Sequence, residues 1–132
     1  MRVLLADSDK DVRWALRTFL TEQLGQAMVA ECADADSLMA TLDTFAPDLT
    51  LLDWDLPGCG GATRLAILHG RDKPGGIVVF CRRPEIEPVA LAAGADVFIS
   101  KATSPEQVLA TLRNLSWSEL ARGVHEPLNH IA

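Results

Sequence analysis

The stretch "PDLTLLDWDLPG", residues 47–58, decides the reading of this chain. Leu49 to Leu52 form a short, mostly apolar run with the length of a buried strand. The run ends on Asp53, Asp55 follows one residue later, and Pro57-Gly58 turns the chain. A carboxylate at such a place is a metal ligand, a nucleophile, a phosphate acceptor or a turn former. The residues on either side have to separate these readings.

Toward the N-terminus, "VLLA" (3–6) is apolar and stops at Asp7. Val12, Ala15, Leu16, Phe19, Leu20 and Leu24 then follow the spacing of an amphipathic helix. "MVAEC" (28–32) predicts a weaker strand, and Leu38, Met39, Leu42 and Phe45 a second helical face closed by Pro47. Toward the C-terminus, residues 61–69 predict a helix after the "GCGG" loop, and "IVVF" (77–80) a fourth strand. Residues 85–93 predict a helix whose Pro88 implies a late start and whose stop is Gly94. "VFI" (97–99) is the fifth strand. Ser104, Pro105 and Gln107 predict a capping box on the last clear helix, with Val108, Leu109, Leu112 and Leu115 on its buried side. From Ser116 the pattern changes: "SWSE" suits one further short helix, and Pro127 with "LNH" predicts weak order. The chain is therefore divided into a domain, 1–115, and a C-terminal tail or linker stub, 116–132.

Five strands alternating with five helices define an α/β fold with a five-stranded parallel sheet covered on both faces. Its 132 residues suit one hydrophobic core, and 48% hydrophobic with 23% charged residues is ordinary for a globular domain. A net charge of −6 argues against direct nucleic-acid binding and against docking on anionic membrane, both of which need a basic surface. No apolar run approaches the ~20 residues of a membrane span, and the apolar start reads as a strand, not a secretory signal. Three cysteines without CxxC spacing predict reduced thiols in a cytoplasmic protein, and the scattered histidines form no ligand cluster.

The strands end on polar or reactive residues: Asp7, Asp53, Cys81 and, after "VFIS", Lys101. In an open parallel sheet the functional crevice lies beyond the carboxyl ends of the strands, so these side chains are expected to converge. Two carboxylates there suit a hard cation such as Mg²⁺, and a lysine opposite them suits an anion. Together they suit phosphoryl chemistry, with a carboxylate attacking phosphorus.

The motifs "LLADSD", "PDLTLLDWDLPG", "IVVF" before a small polar residue, and "GADVFISK" resemble the receiver domain of two-component response regulators over residues 1 to about 115. The resemblance implies a flavodoxin-like doubly wound (βα)5 sheet of strand order 2-1-3-4-5. It implies that Asp53 is the phospho-acceptor, served by a histidine kinase or phosphotransfer protein. It further implies that Asp7 belongs to the acidic pair that binds Mg²⁺, that the Asp55 backbone carbonyl is a metal ligand, and that Lys101 contacts the phosphoryl group. By the same resemblance Phe98 falls at the aromatic switch position, and the fourth helix, fifth strand and fifth helix are expected to form the face that binds an effector or a second copy.

Four positions depart from the family pattern. The second acid of the metal pair is Ser8, which reads better as a cap for the first helix, with Asp11 three residues on; Asp9 is a partial replacement for the lost charge. Cys81 stands where a Thr or Ser hydroxyl is usual, and S–H is a weak donor. Arg82 stands at the normally small access position. Two readings of it stay open: it is solvated with Arg83, or it folds over the site and pairs with Asp53. Ala102 replaces the usual proline after Lys101, and Trp54 reads as packing or a lid. The expectation is an atypical receiver with weak Mg²⁺ binding and weak phosphorylation. The alternatives are a phosphorylation-independent pseudo-receiver adaptor and, less favoured, a haloacid-dehalogenase-like phosphatase using "DWDLP", with Asp53 as nucleophile and Asp55 as acid/base.

Overall fold

Apolar runs too short for helices and rich in Val, Leu and Ile form the five strands of a parallel sheet in the computed structural model, which describes residues 1–25, 27–71 and 75–122. The elements are β1 (Arg2–Ala6), α1 (Lys10–Leu24), β2 (Met28–Cys32), α2 (Ala35–Leu42), β3 (Leu49–Asp53), α3 (Gly61–His69), β4 (Gly76–Cys81), a 3₁₀ turn (Pro84–Ile86), α4 (Glu87–Ala92), β5 (Val97–Ser100), α5 (Pro105–Arg113) and α6 (Trp117–Arg122). The strand order is β2-β1-β3-β4-β5, as the motifs imply. β3 is central and fully buried, and it pairs Leu51 with Leu5 on one side and with Val78 on the other.

Alternation along each strand divides the core into two layers. Leu4, Leu52 and Val79 face α2, α3 and α4, where Leu38, Leu65, Leu68 and Ala90 meet them. Val3, Leu5, Leu51, Val78 and Phe80 face α1, α5 and α6, against Leu16, Phe19, Leu20 and Leu112. Trp117 and Leu120 of α6 belong to this second layer. The packed unit therefore runs past residue 115, where the sequence places the start of a tail, to Arg122. The backbone of Leu120 lies so close to Gly76 that a Cβ there would sit 2.5 Å from the Leu120 carbonyl oxygen. The weak order expected around Pro127 lies outside the described residues.

The local signals mostly act as expected. Pro88 sits in the first turn of α4, which starts late, after the 3₁₀ turn. Gly94 has φ +115, and its carbonyl receives the His69 ring at 2.7 Å. Ser104 caps α5 by accepting from the Gln107 amide at 3.2 Å, but the return bond of a capping box is absent there. The reciprocal box forms at α2 instead, between Asp34 and Ser37. One expectation is corrected at α1: the cap is Asp9, not Ser8. The helix starts at Lys10, and the Asp9 carboxylate accepts from the Asp11 and Val12 amides at 2.8 and 3.4 Å. A carboxylate is the stronger acceptor at the positive end of a helix, so the later residue takes the position.

Candidate functional site

The carboxyl ends of β1, β3 and β5 bring Asp7, Asp53 and Lys101 together. Each is held by a neighbouring strand. The Asp7 amide donates to the Cys32 carbonyl at 3.1 Å, and the Lys101 amide to the Cys81 carbonyl at 2.8 Å. The Trp54 amide, next to Asp53, donates to the Phe80 carbonyl at 2.8 Å. Lys101 Nζ lies 2.9 Å from Asp7 Oδ2 and 3.6 Å from Asp53 Oδ1. Residues 7, 53 and 101 thus meet on one ammonium group.

Asp7 and Asp53 are buried, and Lys101 keeps about a fifth of its side chain exposed. Burial pushes the Asp53 carboxyl above its ordinary range. Lys101 and the Asp55 amide, which donates to Asp53 Oδ1 at 3.1 Å, pull it back, while Asp7 and Asp55 push it up. A carboxylate so placed has the chemistry for nucleophilic attack, with a cation beside it suited to negative charge on a phosphoryl group.

The altered positions fall as follows. Ser8 is exposed and outside the cluster, and the Asp9 side chain caps α1. The Asp9 amide nevertheless holds Asp7 Oδ1 at 2.9 Å. Cys81 is fully buried, not exposed as its strand-end position suggests. Its Sγ lies 3.8 Å from Asp55 Oδ2 and accepts from the Arg83 amide at 3.5 Å. Phe98 is buried in the layer that contains Cys81 and Ala90. Trp54 is packing: its ring lies on Gly61, where a Cβ would come within 2.4 Å.

The pairing of Arg82 with Asp53 does not form. Arg82 is exposed and continues the alternation of Val78 and Phe80, toward the α1–α5 side of the sheet. Arg83 instead reaches Asp55, with Nη2 2.6 Å from Oδ1. Both members of that ion pair are about half exposed, and Asp55 beside Arg83 keeps the guanidinium charged.

Two supporting arginines escaped the sequence reading. Arg64, in α3, is buried and donates to the Trp54 and Cys59 carbonyls, which ties down the loop that leaves Asp53. The signal was present: residues 61, 64, 65 and 68 lie on one helical face, and all four are buried. Arg13 donates to the Asp7 carbonyl at 2.6 Å and pairs with Glu31 of β2 at 2.9 Å, fixing the end of β1. It sits on the polar side of α1, where nothing local marks its partner.

Among the described residues no three His, Cys, Asp or Glu side chains form a ready metal cluster. Asp7 and Asp53 still fit a divalent cation. Both are carboxylates at the same end of the sheet, and Mg²⁺ commonly uses one or two carboxylates while keeping several waters. What is missing is a third charge, because Ser8 carries none and Asp9 is engaged elsewhere.

Residues 3–113 match the model of the response regulator receiver domain. The chain is 32% identical over 117 residues to the transcriptional activator protein ExaE of Pseudomonas putida, covering 87% of this chain and 55% of that protein. It is 35% identical over 118 residues to the phosphate regulon transcriptional regulatory protein PhoB of Escherichia coli K12, covering 85% and 50%. The chain thus spans about half the length of these curated relatives. Among solved structures it is similar to the BeF3-activated receiver domain of Klebsiella pneumoniae RstA, with TM-score 0.65 and 28% identity over 86% of this chain and 96% of that one. The phosphorylated cyanobacterial phytochrome response regulator RcpA shares the fold at TM-score 0.75 and 19% identity, over 89% and 93%. No helix among the described residues is long and apolar enough to cross a membrane. With its strand order, its strand-end carboxylates and its lysine, the chain belongs to the receiver domain family of two-component response regulators.

Proposed function

We propose that Asp53 accepts a phosphoryl group from a histidine kinase or phosphotransfer protein, and that it does so weakly. The observation that carries this is the shared ammonium: Lys101 Nζ contacts both Asp53 and Asp7 at the sheet's carboxyl end. An Asp53 oxygen attacks phosphorus, the phosphorus–nitrogen bond of the donor phosphohistidine breaks, and the imidazole leaves with the electron pair. Lys101 then stands beside the new phosphoryl oxygens. Asp7, Asp53 and the Asp55 carbonyl would hold Mg²⁺, which neutralises phosphoryl oxygens when bound. Transfer is weak because the site lacks the second acid of the pair and Lys101 is already engaged by two carboxylates.

The readout we assign is the α4–β5–α5 face, which carries exposed Val89 and binds an effector or a second copy of the chain. The relatives are named as transcriptional regulators, and we extend that class of output to the longer protein or partner this receiver serves. Buried Cys32, whose thiol burial pushes up to about 11, and buried Cys81 suit the reducing cytoplasm.

A second reading, a phosphorylation-independent adaptor, is favoured by Cys81. Its buried thiol is a poor substitute for a switch hydroxyl. One experiment separates the two: incubation with acetyl phosphate and millimolar Mg²⁺, followed by intact mass. A phosphoryl adduct that Asp53→Asn abolishes and Ser8→Asp increases supports the acceptor. No adduct on either the parent or Ser8→Asp leaves the adaptor. Continuous turnover of an aryl phosphate would instead revive the phosphatase reading, in which Asp55 would need to leave Arg83.

A further inference from the structure

A groove-shaped cavity of about 540 Å³ lies between α1 and α5, at the same end of the sheet as Asp53. Its walls are aliphatic: Val12 and Leu16 come from α1, Val108 and Leu109 from α5, and the ring of Phe80 lies between them. Two cations, Arg82 and Lys101, stand at its rim. They differ in one respect. Lys101 is taken up by Asp7 and Asp53, whereas Arg82 has no acidic partner among the described residues. The cavity thus joins an apolar hollow to a guanidinium that no acidic side chain among the described residues neutralises.

We infer that this cavity binds an amphipathic organic carboxylate, with its apolar body between α1 and α5 and its carboxylate on Arg82. The volume lies within the range of small-molecule sites, which are mostly apolar with a few polar groups that fix orientation. The two ends of the cavity select the class. A small inorganic anion would leave the aliphatic walls wet. A neutral apolar molecule would leave Arg82 unpaired, and a cation would meet its free guanidinium. Guanidinium matches a carboxylate with two parallel hydrogen bonds. The site is distinct from the acceptor carboxylates yet touches them through Lys101, which lines the cavity and pairs with Asp7 and Asp53. An anion at the rim therefore competes for Lys101, and an occupied cavity loosens its grip on Asp53.

The probe is decanoate, with 1-decanol as the uncharged comparator, followed by calorimetry and by methyl NMR on the full chain. Saturable one-to-one binding of decanoate is expected, with the largest methyl shifts at Val12, Leu16, Val108 and Leu109. Arg82→Gln, an exposed position, is expected to weaken decanoate about tenfold, equivalent to about 1.4 kcal/mol, and to leave decanol unchanged. Ala15→Phe, exposed on the α1 rim of the groove, is expected to weaken both ligands. If that variant does not fold, the Arg82 and decanol arms still decide. Equal affinity for decanoate and decanol, shifts centred elsewhere, or no saturation below the micellar range would overturn the inference. So would α1 and α5 methyl shifts that grow with protein concentration alone, because a second copy would then be the occupant.

Discussion

Replacing Lys101 with Met should lower stability by about 3 kcal/mol at pH 7.5, and the deficit should shrink in acid. At 2.9 and 3.6 Å, with an effective dielectric constant of about 20, the ammonium attracts the Asp7 and Asp53 carboxylates by about 6 and 5 kcal/mol. Dehydration of the three groups offsets most of that. Removing one partner from a buried pair costs about 3–5 kcal/mol, and the partial exposure of Lys101 favours the lower end. The pH dependence follows from Asp53. Burial already holds its carboxyl above the ordinary range, with Lys101 pulling it down. A carboxyl raised in the folded state binds more protons folded than unfolded. It favours the fold at low pH, and that contribution is lost as pH rises through the folded value. Without Lys101 the carboxyl rises further, so the variant suffers most at neutral pH and recovers as Asp53 takes up its proton. Urea unfolding at pH 7.5 and pH 5, with m-values compared, measures both quantities. The double variant Lys101→Met/Asp53→Asn should recover part of the neutral-pH loss. A deficit of the same size at both pH values, or no recovery in the double variant, would show that lost side-chain packing and not charge explains the effect.

Asp9→Ala should cost about 1 kcal/mol as a lost helix cap, whereas Ser8→Ala should stay within about 0.5 kcal/mol; thermal melts of the pair check which residue caps α1. Gly61→Ala drives a methyl into the Trp54 ring and should cost about 1–3 kcal/mol, read as a lower urea midpoint with a red shift in tryptophan emission. Leu120→Ala should cost about 2–5 kcal/mol, since Leu120 is fully buried in the second core layer. A chain cut after residue 115 that unfolds at the same urea concentration as the parent would show that α6 adds nothing to the core.

The reading of "PDLTLLDWDLPG" reached as far as it did because periodicity and strand endings are local properties of the chain. Apolar runs of four or five residues alternating with helical patterns leave only a parallel sheet, and the residue after each run must lie at its carboxyl end. Those local properties place Asp7, Asp53 and Lys101 at one end of the sheet, and both carboxylates do meet the Lys101 ammonium. At two places what stayed undecided or went wrong is which of two adjacent residues acts. Ser8 and Asp9 are both plausible caps, and Arg82 and Arg83 are both able to reach an aspartate. Which member acts depends on where the helix starts and on which side of the sheet the chain leaves β4.

The sequence by itself therefore determined the fold class and the end of the sheet where Asp7, Asp53 and Lys101 gather, because both follow from residue type and spacing. Only the tertiary structure decided that Arg83 holds Asp55 while Arg82 stands over a cavity, that Arg64 braces the loop after Asp53 from inside, and that α6 completes the core. These features rest on long side chains and on elements far apart in the chain. A guanidinium on four rotatable carbons can reach several partners, and the packing around it, not its position in the sequence, selects one.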